Sequence, residues 1–148
     1  MPPVPSPSPL IQLIPSPLVQ LMLQAAWGGM ALGIVSGAVI GLFFHREDWM
    51  GGYGSFRRRL ARLGHISFFG LAFVNLGFAF TLTATGVAAP YAAIAGLGFL
   101  LGAATMPTIC FLSAWRKSFR HLFFIPVLSV MTGVVCTLLG MSYLNGAT

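Results

Sequence analysis

Residues 66–114 run for 49 positions without a charged side chain. As one α-helix this stretch would reach about 74 Å at 1.5 Å per residue, more than twice the ~30 Å hydrocarbon thickness of a bilayer. It must therefore double back. The break falls at Gly86-Val87-Ala88-Ala89-Pro90, where glycine releases one helix end and proline opens the next. Residues 18–44 and 121–143 are also uncharged, and each reaches the ~20 residues that a crossing needs.

Composition points the same way. Charged residues make up 7% of the chain and hydrophobic residues 57%, with a mean hydropathy of +0.88; a soluble domain carries about 25% charge. The expected fold is an all-α integral membrane protein, a four-transmembrane-helix up-down-up-down bundle. Its spans are placed at about 18–44, 65–86, 90–115 and 121–143, within a membrane domain of residues 18–148. Residues 1–17 hold seven of the ten prolines and read as an extended, Pro-rich extracytoplasmic tail, since proline at this density blocks helix. No positively charged n-region leads into a cleavage site, so no signal peptide is expected.

The eight Lys and Arg residues and two acids give a net charge of +6. The cations fall in two windows: Arg46 with Arg57, Arg58, Arg59 and Arg62, then Arg116, Lys117 and Arg120. Four spans put both windows on one side. The positive-inside rule makes that side cytoplasmic, with both termini extracytoplasmic, and the plasma (inner) membrane is the expected location. The same cations would attract anionic lipid headgroups; nucleic-acid binding is not expected, because no soluble domain presents them. Trp49, Tyr53 and Trp115 fall at the basic side and Trp27, Tyr91 and Tyr143 at the other, as amphipathic rings prefer an interface. In residues 45–64, Gly51, Gly52 and Gly54 break structure and Ser55 is placed to cap a new helix. The segment after it reads either as an amphipathic foot at the interface or as the second span extended beyond the bilayer.

Four candidate sites follow. Gly29, Gly33, Gly37 and Gly41 recur every four residues and form a smooth helical strip suited to close packing. Its partner is either a helix of the same chain, with Gly98 and Gly102 (and Ala92 and Gly96 nearby) as the expected counterpart, or a second protein. Gly70 with Gly77 and Gly133 with Gly140 extend close approach to the other spans. Asn75 lies about 15 Å beyond His65, deep enough that its amide is expected to bond across to another helix. Pro107, beside Thr105 and Thr108, is expected to bend the third span and free the Ala103 carbonyl. His45, His65 and His121 share one depth; plain interfacial imidazole is the leading reading, and a haem or metal site the alternative. Cys110 and Cys136 differ in depth by about 15 Å and are expected as free, buried thiols.

No nucleophile–base pair, phosphate-cradling loop or metalloprotease helix is present in the sequence. The leading functional expectation is a non-enzymatic accessory or scaffolding subunit, packing against itself or a larger membrane complex. The alternatives are a small haem b electron-transfer protein using His65 and His121, and a small transporter or channel around Asn75.

Overall fold

The computed structural model describes residues 16–146. The expected Pro-rich tail lies almost wholly outside them. Four helices make up the fold: α1 (Pro17–Phe43), α2 (Phe56–Ala84), α3 (Ala89–Trp115) and α4 (Phe124–Gly146). Two short 3-10 turns, Trp49–Gly51 and Lys117–Phe123, lie between helices, and no strand occurs among the described residues. All four helices are long and apolar enough to cross a membrane.

The helix ends follow from local chemistry. Ser16 accepts from the Val19 N–H and Pro17 opens α1, the arrangement that meets otherwise orphaned amides. Ser55 caps α2 by accepting from the Arg58 N–H at 3.2 Å, while its own hydroxyl donates to the Met50 carbonyl at 2.8 Å. The loop before it turns through Met50, Gly51 and Gly52, all left-handed with φ of 55°, 87° and 91°. Gly86 is also left-handed, with φ 75°, and stops α2 where the sequence places the break. α2 is continuous from Phe56, so the segment after Ser55 is the lower end of the second long helix and not a separate foot.

The helices pack in chain order: α1 on α2, α2 on α3, α3 on α4. α4 leans on α3 and scarcely meets α1 or α2. The core lies where Val19 and Met22 of α1 meet Phe78 and Ala79 of α2 and Ala95 and Phe99 of α3. Phe78 and Phe99 stand edge to face at 5.0 Å, a favoured aromatic geometry.

Burial of Val19, Met22 and Ala26 corrects the reading of Trp27. The residues before it do not project beyond the other helices; they carry part of the core. Trp27 sits 67% exposed on the outer face of α1, two residues from Gly29, which packs on Phe68 and Ala72 in the middle of α2. The remaining large polar aromatics lie at the two ends. Tyr91 and Tyr143 face each other at 6.3 Å, Trp49 and Tyr53 belong to the 44–55 loop, and Trp115 closes α3.

Candidate functional site

The basic end carries most of the polar structure. α2 begins between the C-terminal ends of α1 and α3, and two consecutive arginines reach those ends. Arg57 Nε donates to the Ala114 carbonyl at 2.9 Å, at the last turn of α3. Arg58 Nη2 donates to the carbonyl of Phe44, the C-cap of α1, at 2.8 Å. Terminal carbonyls lack helical partners and carry the negative end of the helix dipole. Cations near an N-terminus are unfavourable for their own helix, but here they cap the neighbours.

Arg58 is completely buried. Its guanidinium carbon lies 3.8 Å from the Tyr53 ring centroid, 4.8 Å from Phe44 and 5.5 Å from Trp49. Three ring faces and the Phe44 carbonyl thus take the place of a carboxylate, and each cation–π contact contributes about 0.5–2 kcal/mol. Tyr53 in turn donates its hydroxyl to Phe44 O at 3.2 Å, and Arg62 Nη2 donates to Tyr53 O at 3.1 Å. The cluster folds the 44–55 loop over the start of α2. The expectation that Arg57, Arg58, Arg59 and Arg62 all present charge to lipid is corrected for Arg58, which is interior; Arg57 is exposed although its Nε is bonded, and Arg62 is half-buried. Arg59, Arg116, Lys117 and Arg120 are exposed. The ring cage was missed in the sequence. Its signal was three aromatic residues within ten positions, the last of them inside a glycine-rich turn that leads into an arginine run.

The histidines do not form one site. His65 faces α1: Ser36 Oγ lies 3.1 Å from its Nδ1 and 3.0 Å from Gly33 O. A hydroxyl that donates to the carbonyl accepts from an Nδ1–H. The rest of the ring is laid on Gly37, with Nε2 3.2 Å from where a Cβ would stand, and edge-on to Phe69. His121 is exposed in the turn before α4, and His45 is exposed after α1. The residues do not fit a bis-histidine haem.

The glycine strip faces α2, not α3. Gly29 meets Ala72 and Phe68, Gly33 meets Phe69, Gly37 meets His65, and Gly41 has nothing near it. Gly98 and Gly102 serve a different seam, against Ser129, Gly133, Val130 and Pro126 of α4. Gly133 receives the Phe99 ring and Gly140 receives Val87 and Tyr91. Gly70 and Gly77 have open space before them, so their spacing of seven is not a packing seam.

Asn75 is fully buried, but Nδ2 donates at 2.8 Å to Leu71 O of its own helix. The expected bond across to another helix is absent among the described residues, and Oδ1 has no partner. An unpartnered buried acceptor costs about 1–3 kcal/mol. Asn75→Leu is therefore expected to leave thermal stability in mild detergent unchanged or raise it. A fall of several degrees would mean that the amide holds a neighbouring helix. Pro107 is buried within continuous α3; the hydroxyls of Thr105 and Thr108 donate to Leu101 O and Ala104 O, both at 2.6 Å, and not to Ala103 O. Both cysteines are free, Cys110 buried and Cys136 only half-buried.

Between α2 and α4, over Met106 of α3, runs an open apolar groove of about 720 Å³. Leu63, Ile66, Gly70 and Val74 form one wall, and Pro126, Val127, Val130 and Val134 the other. Ser67 also lines it, but its hydroxyl is turned to Gly64 O at 2.7 Å. No family model, no curated protein and no solved structure matches the chain.

Proposed function

We propose that this chain is a four-span membrane protein, crossing up-down-up-down with its basic loops cytoplasmic and both termini outside. In that membrane, the plasma (inner) membrane, it acts as a non-enzymatic accessory or scaffolding subunit. The observation that carries this reading is the state of the outer helices. Within the most apolar windows of α1 and α4 only 11% of residues are buried. Leu32, Val35 and Val39 on α1, and Met131, Val135 and Leu138 on α4, are all at least 45% exposed. Such faces suit lipid or another protein's helices, and Gly41 leaves one place on α1 where a second backbone can come close. The polar groups that would support the alternatives are few. His65 is held by α1, and Asn75 donates to its own helix while its Oδ1 is enclosed without a partner.

The test is purification of the full chain in mild detergent with cysteines placed at Val39 and Leu138. The expected result is a mass above that of the monomer, or a stoichiometric partner, with cross-links through one of these positions. A monomer that stays inert to cross-linking would sink the scaffolding reading. A reporter fused at the C-terminus is expected to behave as extracytoplasmic; cytoplasmic behaviour would overturn the topology.

A further inference from the structure

We propose that the groove between α2 and α4 binds a phospholipid with an anionic headgroup, its acyl chain along the groove and its phosphate at Arg59 and Arg120. The inference rests on the membrane reading above and adds a defined site to it.

Depth comes first. From Leu63 to Val74 the α2 wall is about 16 Å long at 1.5 Å per residue, close to half of the ~30 Å hydrocarbon core. The groove is thus one leaflet deep. It starts at the basic end and stops near the middle. A helix from another protein would continue through the second leaflet, whereas an acyl chain ends there.

The lining agrees. The groove holds about 720 Å³ and is open along one side. The lining is apolar and its one hydroxyl is satisfied internally, so the occupant within the groove must be hydrocarbon.

Charge fixes the head. Arg59 lies one turn before Leu63, so it continues the stripe 63, 66, 67, 70, 71, 74 that faces the groove. It is exposed, and its guanidinium takes part in no hydrogen bond among the described residues. On the other wall, Arg120 is exposed in the 3-10 turn that leads into α4. Arg120 lies six residues before Pro126, where the α4 wall of the groove begins. Basic side chains flanking an apolar slot between helices favour an anionic headgroup by about fivefold each.

The experiment uses full-length protein reconstituted into vesicles of equimolar dioleoyl phosphatidylglycerol and dioleoyl phosphatidylcholine. After flotation the protein is extracted into mild detergent, and retained lipid is measured by mass spectrometry. About twenty-five-fold more phosphatidylglycerol than phosphatidylcholine is expected, fivefold for each arginine. Arg59→Gln should lower that preference about fivefold. Gly70→Leu fills the groove from a position with open space for a side chain, and should abolish retention. Gly77→Leu, equally open but outside the groove, should retain lipid as the unaltered chain does. Equal retention of the two lipids, or full retention by Gly70→Leu, overturns the proposal while leaving the membrane reading intact. A change of oligomeric mass in Gly70→Leu alone also overturns it, since the groove would then hold a helix. Failure of the chain to float overturns both.

Discussion

Gly98→Ala should be the most damaging single methyl addition in the chain. A Cβ at this position would stand 2.6 Å from Ser129 O and 3.1 Å from Gly133 N. Both are α4 backbone atoms, so no rotamer change relieves the clash; α4 itself must move outward. Overpacking of this kind costs about 3 kcal/mol, against which alanine returns at most about 1 kcal/mol of helix propensity. The consequence is amplified by topology, because α3 is the main support of α4. A fall of several degrees in thermal unfolding temperature is expected in mild detergent. Gly41→Ala makes the comparison informative, since its Cβ would meet nothing; that variant should be neutral or slightly more stable. Gly33→Ala should fall between them, because its clash is with the far edge of the Phe69 ring, which can tilt. If Gly98→Ala unfolds like Gly41→Ala, the α3–α4 register described above is wrong.

These three glycines also show what sequence could and could not reveal. Spacing places Gly29, Gly33, Gly37 and Gly41 on one face, because helical periodicity is a local property. Spacing does not choose the partner. The strip meets α2, through Ala72, Phe69 and His65, while Gly98 and Gly102 meet α4; that choice depends on how all four helices settle at once. Helix existence was legible for the same local reason. Charge-free runs mark the long apolar helices, although α2 starts before its own and carries Arg57, Arg58, Arg59 and Arg62. Ser55, Gly86 and Pro90 mark ends by their own backbone preferences. Trp27 misled because a tryptophan suits an interface, yet packing of Val19 and Met22 under Phe78 and Phe99 fixes the depth of α1. The arginine run misled in the opposite direction. Net charge says that cations collect at one end, but not that one of them is enclosed by rings from the preceding loop.

That enclosed arginine supplies the other large expected effect. Arg58→Ala should release the 44–55 loop from the start of α2. The residue contributes a charge-assisted hydrogen bond to Phe44 O at 2.8 Å and contacts to three rings, all away from water. A hydrogen bond to a charged group is worth about 1.5–3 kcal/mol, and the ring contacts add to it, although the terms do not sum independently. A loss of about 3 kcal/mol is expected, together with a cavity lined by Phe44, Trp49 and Tyr53. Amide hydrogen exchange should report it most directly, as faster exchange across residues 44–55 than in the middle of α3. Arg58→Lys should recover only part of the loss. An ammonium is a compact point charge that cannot lie flat against Tyr53 while donating to Phe44 O, as the planar guanidinium does. Lys117→Ala, which removes an exposed cation of the other basic window, should shift stability by no more than about 0.5 kcal/mol. Equal exchange in the Arg58→Ala and Lys117→Ala proteins would mean that the loop is held without Arg58, by bonds such as Ser55–Met50, Tyr53–Phe44 and Arg62–Tyr53. Arg58 would then be a buried charge with no structural consequence, a state that desolvation makes too costly to persist.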